Sequence, residues 1–196
     1  LDNEIRRLLC PALDRPSMGV ACVGTQTVEQ SLDIDADLLV TDLCPADILI
    51  QRLGRLHRAN GSRPAGCELP VAIILDPGDL DGFVDQRGRI VARGGPTAVY
   101  GNLAMLQATL DVLDGGEVAL PCQCREIVER VTHPESLASV AASRGEKWLL
   151  HYKSVSSVDE GLSALAERSS IRWDLSPLEG RNRIGSVEED DVRTRI

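Results

Sequence analysis

The stretch LLVTDLCPADILIQRLGRLHR, residues 38–58, contains the two periodicities that decide the fold. Its first residues, Leu38 to Thr41, are apolar and partly β-branched, which predicts a short buried strand. Pro45 suits the first position of a helix. Apolar residues then recur at helical spacing, which predicts a helix that ends near Arg58 and turns one face inward: Ile48, Leu49, Leu53 and Leu56.

Two further apolar runs flank this stretch and predict a sheet. Met18 to Val23 and Leu69 to Leu75 both have the composition of buried strands, and residues 3–10 predict a short leading helix. The order helix, strand, strand, helix, strand is typical of an α/β lobe with a mainly parallel sheet. We therefore expect an α/β fold, followed by a smaller helical segment.

The second half of the chain has helical periodicity. Asp76 to Pro96 is rich in Gly and Asp, which predicts a connector with little core and a possible hairpin at Arg87 and Gly88. Helices are expected after it, and a strand is possible at the end of the chain. The helices are Thr97–Leu113, Pro121–Val131, Pro134–Tyr152 and Val158–Glu167, and the strand is Val192–Ile196.

Charge is distributed unevenly along the chain. The 196 residues include 21 Lys and Arg against 30 Asp and Glu, a net charge of -9, which argues against coating nucleic acid through bulk charge. Residues 16–50 contain no Lys or Arg, whereas four arginines follow before the next acid, at positions 52, 55, 58 and 63. Any contact with nucleic acid or nucleotide is therefore expected to be local.

The arginines at 52, 55 and 58 recur every three residues. A guanidinium keeps its charge and offers a rigid fork of donors, so this cluster predicts a phosphate site. The only lysines, Lys147 and Lys153, do not follow a glycine-rich loop, so the chain lacks a Walker A phosphate cradle.

Cysteine usage and hydropathy limit the other classes of function. The six cysteines form no CxxC pair and predict neither a zinc site nor a disulfide framework, which favours free thiols in a reducing cytoplasm. No apolar run approaches the length of a membrane span. Because the chain starts at Leu1 without a Met, we expect it to be part of something longer.

The segment QRLGRLHR, residues 51–58, resembles motif VI of superfamily two helicases, QxxGRxxR. The match covers Gln51, Gly54, Arg55 and Arg58, whereas Arg52 lies outside the minimal pattern. The resemblance implies that Arg55 and Arg58 are arginine fingers, with Gln51 and Gly54 on the nucleotide side of a cleft between two RecA-like lobes. Such a finger contributes about 10³–10⁵ in rate.

Residues 25–35, TQTVEQSLDID, resemble motif V of the same superfamily. The resemblance implies that the hydroxyl of Thr25 meets a phosphate of single-stranded nucleic acid, with Gln26 beside it. It also implies that Asp33 reaches the ribose or the metal-bound water, and that Glu29 and Ser31 shape the loop. The two motifs occur in the order expected for the superfamily.

The wording of VEQSLDID, of residues 37–58 and of RPAG at residues 63–66 resembles the CRISPR-associated helicase-nuclease of type I systems, most closely subtype I-E. The resemblance implies the C-terminal part of the second RecA-like domain at 1–77, a connector at 78–96, a helical linker segment at 97–168 and a tail at 169–196. ATP and Mg would be held mainly by a first RecA-like lobe, and a nuclease domain would hold its own divalent metal. The implied partners are single-stranded DNA, these other domains and the CRISPR surveillance complex, with no membrane.

The sequence lacks a DExH box and an adjacent His-Asp pair, so we expect the chain alone to be inactive, although the parent protein is an enzyme. One alternative is a free-standing helicase-like lobe that acts as a non-enzymatic interaction or regulatory module. Another is a superfamily two helicase that acts on RNA.

Several single residues favour structural roles. The carboxylates of Asp35, Asp37 and Asp42 are expected to be solvated or to cap the backbone. Too few oxygens converge on Asp33 and Asp35 for a metal site. His57 is expected to pack or to lie near DNA. Trp148 and the tyrosine four residues later fit one amphipathic helix face better than a base-stacking platform.

Overall fold

A computed structural model describes residues 5, 8–10, 18–25, 33–91, 94–114 and 116–169. The contacts divide the chain into two units, Leu1–Ser157 and Val158–Ile196. The helices and strands are β1 Leu38–Asp42, α1 Ala46–Leu53, β2 Val71–Leu75, α2 Leu103–Leu113, α3 Cys124–Thr132, α4 Pro134–Ser143 and α5 Glu146–Ser169, with 3₁₀ turns at Leu80–Phe83 and Gly95–Ala98. The possible strand at 192–196 lies outside the described residues, as does most of the tail at 169–196.

The two strands form a parallel pair with α1 between them in sequence. Leu38 lies opposite Val71, and the register continues to Asp42 opposite Leu75. Parallel neighbours require a crossover connection, and α1 with the loop after it provides one. The predicted α/β class and the parallel sheet are confirmed.

One face of this sheet is apolar and exposed. Alternate residues point to opposite faces of a strand. Val40 and Ile73, on one face, are 55% and 46% exposed, whereas Thr41 on the other face is 6% exposed. The core of the first unit therefore lies on the Thr41 side of the sheet.

The strand predicted at Met18–Val23 is wrong. The described residues 18–24 form no strand, and Met18 and Val23 are 78% and 96% exposed. An apolar run forms a strand only when a neighbouring strand accepts its backbone hydrogen bonds, and no described strand pairs with this one.

The helix predicted to end near Arg58 stops earlier. α1 ends at Leu53, and Gly54 caps it through its N–H to the carbonyl of Ile50 at 2.9 Å. Glycine is a poor helix former, and the chain beyond it bonds to residue 36 instead of continuing the helix. Arg55 and Arg58 consequently lie in the turn after the helix.

Helix boundaries in the second half also differ from prediction. α2 begins at Leu103 because the side chain of Asn102 accepts hydrogen bonds from the N–H groups of Ala104 and Met105. Gly145, with φ of 98°, separates α4 from α5, where the sequence predicted one helix. The helix expected at 158–167 is part of α5.

The connector contributes to the core, contrary to the expectation that it has little core of its own. Leu80 and Val84 are buried against Leu43 and Trp148. The Trp148 indole N–H donates to the Asp81 carboxylate at 2.7 Å. This contact gives Trp148 a packing role. The turn expected at Arg87 and Gly88 is confirmed, with an antiparallel bridge between Val84 and Ile90.

His151 anchors the same turn to α5. It is buried, its Nδ1 lies 3.1 Å from the carbonyl oxygen of Gly88, and its Nε2 accepts from the N–H of Leu103 at 3.3 Å. Burial lowers the pKa of His151, so the neutral ring with the proton on Nδ1 fits both contacts. Gly88 is required here, since a Cβ would meet the backbone N of His151 at 2.5 Å.

Candidate phosphate-binding site

The two segments singled out by the sequence meet beside the start of β1. The N–H of Ala36 donates to the carbonyl of Arg55 at 2.8 Å, and the N–H of His57 donates to the carbonyl of Ala36 at 3.0 Å. These bonds form a parallel bridge between Ala36 and Leu56. The turn that contains the predicted arginine fingers is therefore fixed by backbone bonds to the segment that begins at Asp33.

Asp33 and Arg58 form an ion pair at this junction. The Arg58 Nε lies 3.0 Å from Asp33 Oδ1, and the side chains are 48% and 53% exposed. An exposed pair of this kind stabilises a fold by only about 0–1 kcal/mol. The contact can therefore open at little cost, and a phosphate oxygen is an acceptor of the same charge for the guanidinium.

A second group of charged residues lies close in sequence to this pair. Arg63 donates from Nη2 to Asp35 Oδ1 at 2.9 Å, from Nη1 to Asp35 Oδ2 at 3.2 Å, and from Nη1 to Asp37 Oδ1 at 3.1 Å. Asp35 Oδ1 also accepts from the N–H of Ala59 at 3.2 Å, and Arg63 donates to the carbonyl of Ala59. We call Arg63, Asp35, Asp37 and the backbone of Ala59 the Arg63 clamp.

The central pair of the Arg63 clamp is buried, with the side chains of Arg63 and Asp35 only 7% and 6% exposed, whereas the side chain of Asp37 is 27% exposed. Burial alone would lower the pKa of Arg63, but hydrogen bonds and the charges of Asp35 and Asp37 outweigh it and raise the pKa above its ordinary value. The expectation that Asp35 and Asp37 solvate or cap is wrong, because a buried guanidinium requires carboxylate partners.

Arg52 differs from the other two arginines of the triplet. It donates through Nη1 to the hydroxyl of Thr41 and through Nη2 to the phenol oxygen of Tyr100 at 3.1 Å. Its side chain thus turns toward the sheet and the segment before α2. This geometry agrees with its place outside the minimal motif.

The remaining predicted residues occupy varied positions. Gln51 is exposed near the end of α1, Gly54 caps that helix, and Arg55 is half-buried in the turn. Thr25 is exposed in a bend. Gln26, Glu29 and Ser31 lie outside the described residues. The structure brings Asp33 and Arg58 into contact, and it joins Arg55 to the same segment through the backbone.

His57 has a backbone conformation that the sequence did not predict. Its φ is 47°, a left-handed conformation that L-residues rarely adopt. Its Nε2 is buried without a hydrogen-bond partner among the described residues. Backbone conformations of this kind are found preferentially at functional sites. In the sequence, the feature that could have drawn attention to His57 is its position between the two motif arginines.

Known proteins resemble the part of the chain that contains this site. Residues 1–61 match the family model described as CRISPR-associated nuclease/helicase Cas3, C-terminal. The CRISPR-associated endonuclease/helicase Cas3 of Escherichia coli is 40% identical over 119 residues, which covers 59% of this chain and 12% of that protein. The chain belongs to the Cas3 family and matches its C-terminal helicase region.

Solved Cas3 structures extend the match into the helical half. The crystal structure of T. fusca Cas3-ADP has a TM-score of 0.60 and 29% identity, and covers 87% of this chain and 19% of that one. A chain of a CRISPR RNA-guided surveillance complex, pre-nicking, has a TM-score of 0.54 and 29% identity, with 87% and 20% covered. The present chain thus spans about a fifth or less of the length of these relatives.

Metal, disulfide and membrane-spanning sites were also sought in the part of the chain that the structure describes. No group of three or more His, Cys, Asp or Glu side chains among the described residues is arranged to hold a metal ion. The six cysteines are free thiols. None of the described helices is long and apolar enough to cross a membrane.

Proposed function

We propose that this chain forms the arginine-bearing side of the ATP cleft of a cytoplasmic Cas3 helicase-nuclease. Arg55 and Arg58 contact the γ-phosphate, and Gln51, Gly54 and Asp33 face the nucleotide. The observation that carries the proposal is the 3.0 Å contact between Asp33 and Arg58, which joins the two motif segments at one exposed point.

The chemistry follows from the charge on the transferred phosphoryl group. In the transition state this charge is spread over its three equatorial oxygens, while negative charge develops on the leaving-group oxygen as its bond breaks. A guanidinium placed against these oxygens lowers the barrier by about 4–7 kcal/mol. Arg58 first exchanges the carboxylate of Asp33 for a phosphate oxygen. Because the ion pair is half exposed, this exchange costs at most about 1 kcal/mol.

The rest of the nucleotide site belongs to other parts of the protein. Mg²⁺, when bound with ATP, neutralises phosphate charge. Lys147 is already paired with Asp81 at 2.6 Å, and neither lysine follows a glycine-rich loop. We therefore propose that a first RecA-like lobe holds the Mg-ATP and a nuclease domain holds its own divalent metal.

Thr25 and Gln26 are proposed to contact the backbone of single-stranded DNA. This assignment rests on the resemblance of residues 25–35 to motif V and on the exposure of Thr25. The CRISPR surveillance complex is the proposed partner, supported by the similarity to a chain of such a complex. We also propose the division into helicase lobe at 1–77, connector at 78–96, helical linker at 97–168 and tail at 169–196.

Titration with tripolyphosphate tests the arginine assignment without requiring the other lobe. The Nε–H signals of arginine are followed by ¹H–¹⁵N NMR in the 196-residue chain. We expect the Arg58 signal to shift with added tripolyphosphate, and Arg58→Met or Arg55→Met to weaken binding at least tenfold. Arg125→Met is the matched control, because Arg125 also forms an exposed ion pair, with Glu129 at 2.7 Å. Equal binding by Arg58→Met and Arg125→Met would contradict the proposal.

Activity assays test the other half of the proposal. The purified chain is expected to hydrolyse no ATP and to leave single-stranded DNA uncut, with Mg²⁺ or Mn²⁺ present. Hydrolysis that disappears in Arg58→Met would show that the chain contains a complete ATP site, and would refute the division of the site between two lobes.

A further inference from the structure

We propose that Arg63 is a positioning residue for Arg58, and that it acts through Asp35 and the backbone of Ala59. The inference rests on the proposed function, since it specifies what aims the arginine at phosphate. The side chain of Arg63 is only 7% exposed, so we expect it to position Arg58 without contacting the phosphate itself.

The contacts of the Arg63 clamp lie immediately beside the exposed ion pair. Ala59 follows Arg58 in sequence, and its N–H donates to Asp35 Oδ1 at 3.2 Å. Asp35 comes two residues after Asp33. The carboxylate of Asp35 also accepts hydrogen bonds from both Nη groups of Arg63, at 2.9 and 3.2 Å. The clamp therefore links the segment of Asp33 to the segment of Arg58 within two residues of each.

The exposed pair cannot provide this alignment by itself. Asp33 and Arg58 are about half exposed, and long exposed side chains exchange partners readily. In the Arg63 clamp, by contrast, the planar fork of a buried guanidinium meets two carboxylates and one carbonyl. The Asp35 carboxylate is itself only 6% exposed. Lysine would retain the charge but not the fixed fork. The clamp is thus the rigid part of the junction, and alignment matters because a shift of about 1 Å can cost roughly 10²-fold in rate.

The test compares Arg63→Met and Arg63→Lys in the 196-residue chain by two measurements. The first is the order of the Arg58 Nε–H group, from its ¹H–¹⁵N heteronuclear NOE without added anion. The second is the affinity for tripolyphosphate, at a temperature where each variant is folded. We expect both substitutions to reduce the order of Arg58 and to weaken tripolyphosphate binding at least fivefold. Arg63→Lys keeps the charge, so it serves if Arg63→Met does not fold.

Asp81→Asn controls for a general loss of stability. It removes the ion pair of Asp81 with Lys147, a contact that is remote in sequence from the Arg63 clamp. We expect it to leave Arg58 order and tripolyphosphate affinity unchanged. In an Arg58→Met background, Arg63→Lys should produce no further loss of affinity, because Arg63 acts through Arg58.

The outcomes separate the two proposals. Unchanged Arg58 order and unchanged affinity in Arg63→Lys would overturn the positioning role, while wild-type binding through Arg58 would leave the phosphate site intact. If the wild type binds no tripolyphosphate, the phosphate site fails for this chain. The NOE comparison of Arg58 then still decides whether Arg63 positions it.

Discussion

Two acid–arginine pairs lie side by side in this chain and differ in exposure. Asp33 and Arg58 are 3.0 Å apart and about half exposed, whereas Asp35 and Arg63 are 2.9 Å apart and nearly fully buried. Distance does not distinguish them. Their surroundings do, because water and salt compete for the first pair and are excluded from the second.

The difference assigns separate tasks to neighbouring residues. The buried carboxylate of Asp35 has fixed donors on Arg63 and Ala59, so it holds two segments of chain together. Among the described residues, the exposed Arg58 pairs with the carboxylate of Asp33, which a phosphate can replace. A phosphate-binding arginine requires a backbone that is held in place and a side chain that can exchange its partner.

The largest effect is expected when the buried pair is broken. Arg63→Met leaves Asp35 and Asp37 without their guanidinium, so the free energy of unfolding should fall by about 3–5 kcal/mol. Arg58→Met should lower it by at most about 1 kcal/mol, because its partner remains solvated. Urea unfolding followed by circular dichroism measures both, and equal losses would remove the distinction between the pairs.

The sequence predicted the framework of this junction well. The apolar run at 38–41 and the apolar spacing after Pro45 gave the strand and the helix, since both patterns are local. The end of the helix was missed because it depends on bonds between residue 36 and the turn at 55–57. The predicted strand at 18–23 failed for a related reason, since a strand needs a partner that composition does not reveal.

A second prediction concerns the turn between the two pairs. His57 has φ of 47°, which glycine adopts without steric cost and which L-residues adopt at a cost of about 1–2 kcal/mol. His57→Gly should therefore be more stable than His57→Ala by about 1 kcal/mol. Both variants remove the ring, so their difference reports the backbone alone. Thermal unfolding of the two proteins decides it, and greater stability of the Ala variant would show that the turn relaxes.

The sequence pattern indicated some of the candidate site residues but not all of them. The spacing of Gln51, Gly54, Arg55 and Arg58 drew attention to the turn, but all acids from 33 to 42 had similar sequence context. Which of them is buried depends on where Arg63 folds back, a contact between residues 28 apart. The role of Arg63 therefore emerges only from the three-dimensional arrangement.

Salt should distinguish the exposed ion pair from the buried one through a smaller effect, the change in their coupling energies. A double-mutant cycle of Asp33→Asn and Arg58→Met should give a coupling energy of about 0.2–1 kcal/mol at low salt, falling toward zero in about 1 M NaCl. The coupling of Asp35 to Arg63, from Asp35→Asn and Arg63→Lys, should change little, because the side chains of Arg63 and Asp35 are 7% and 6% exposed. Parallel loss of both couplings with salt would mean that water reaches the clamp.

The central claim is that Arg58 exchanges Asp33 for phosphate, and the affinity of Asp33→Asn for tripolyphosphate tests it most directly. Removing the competing carboxylate should tighten binding up to about fivefold, which corresponds to about 1 kcal/mol. Glu129→Gln, which removes a charge from the exposed pair of Arg125, should leave the affinity unchanged. Unchanged or weaker binding by Asp33→Asn, measured by calorimetry beside this control, would contradict the exchange.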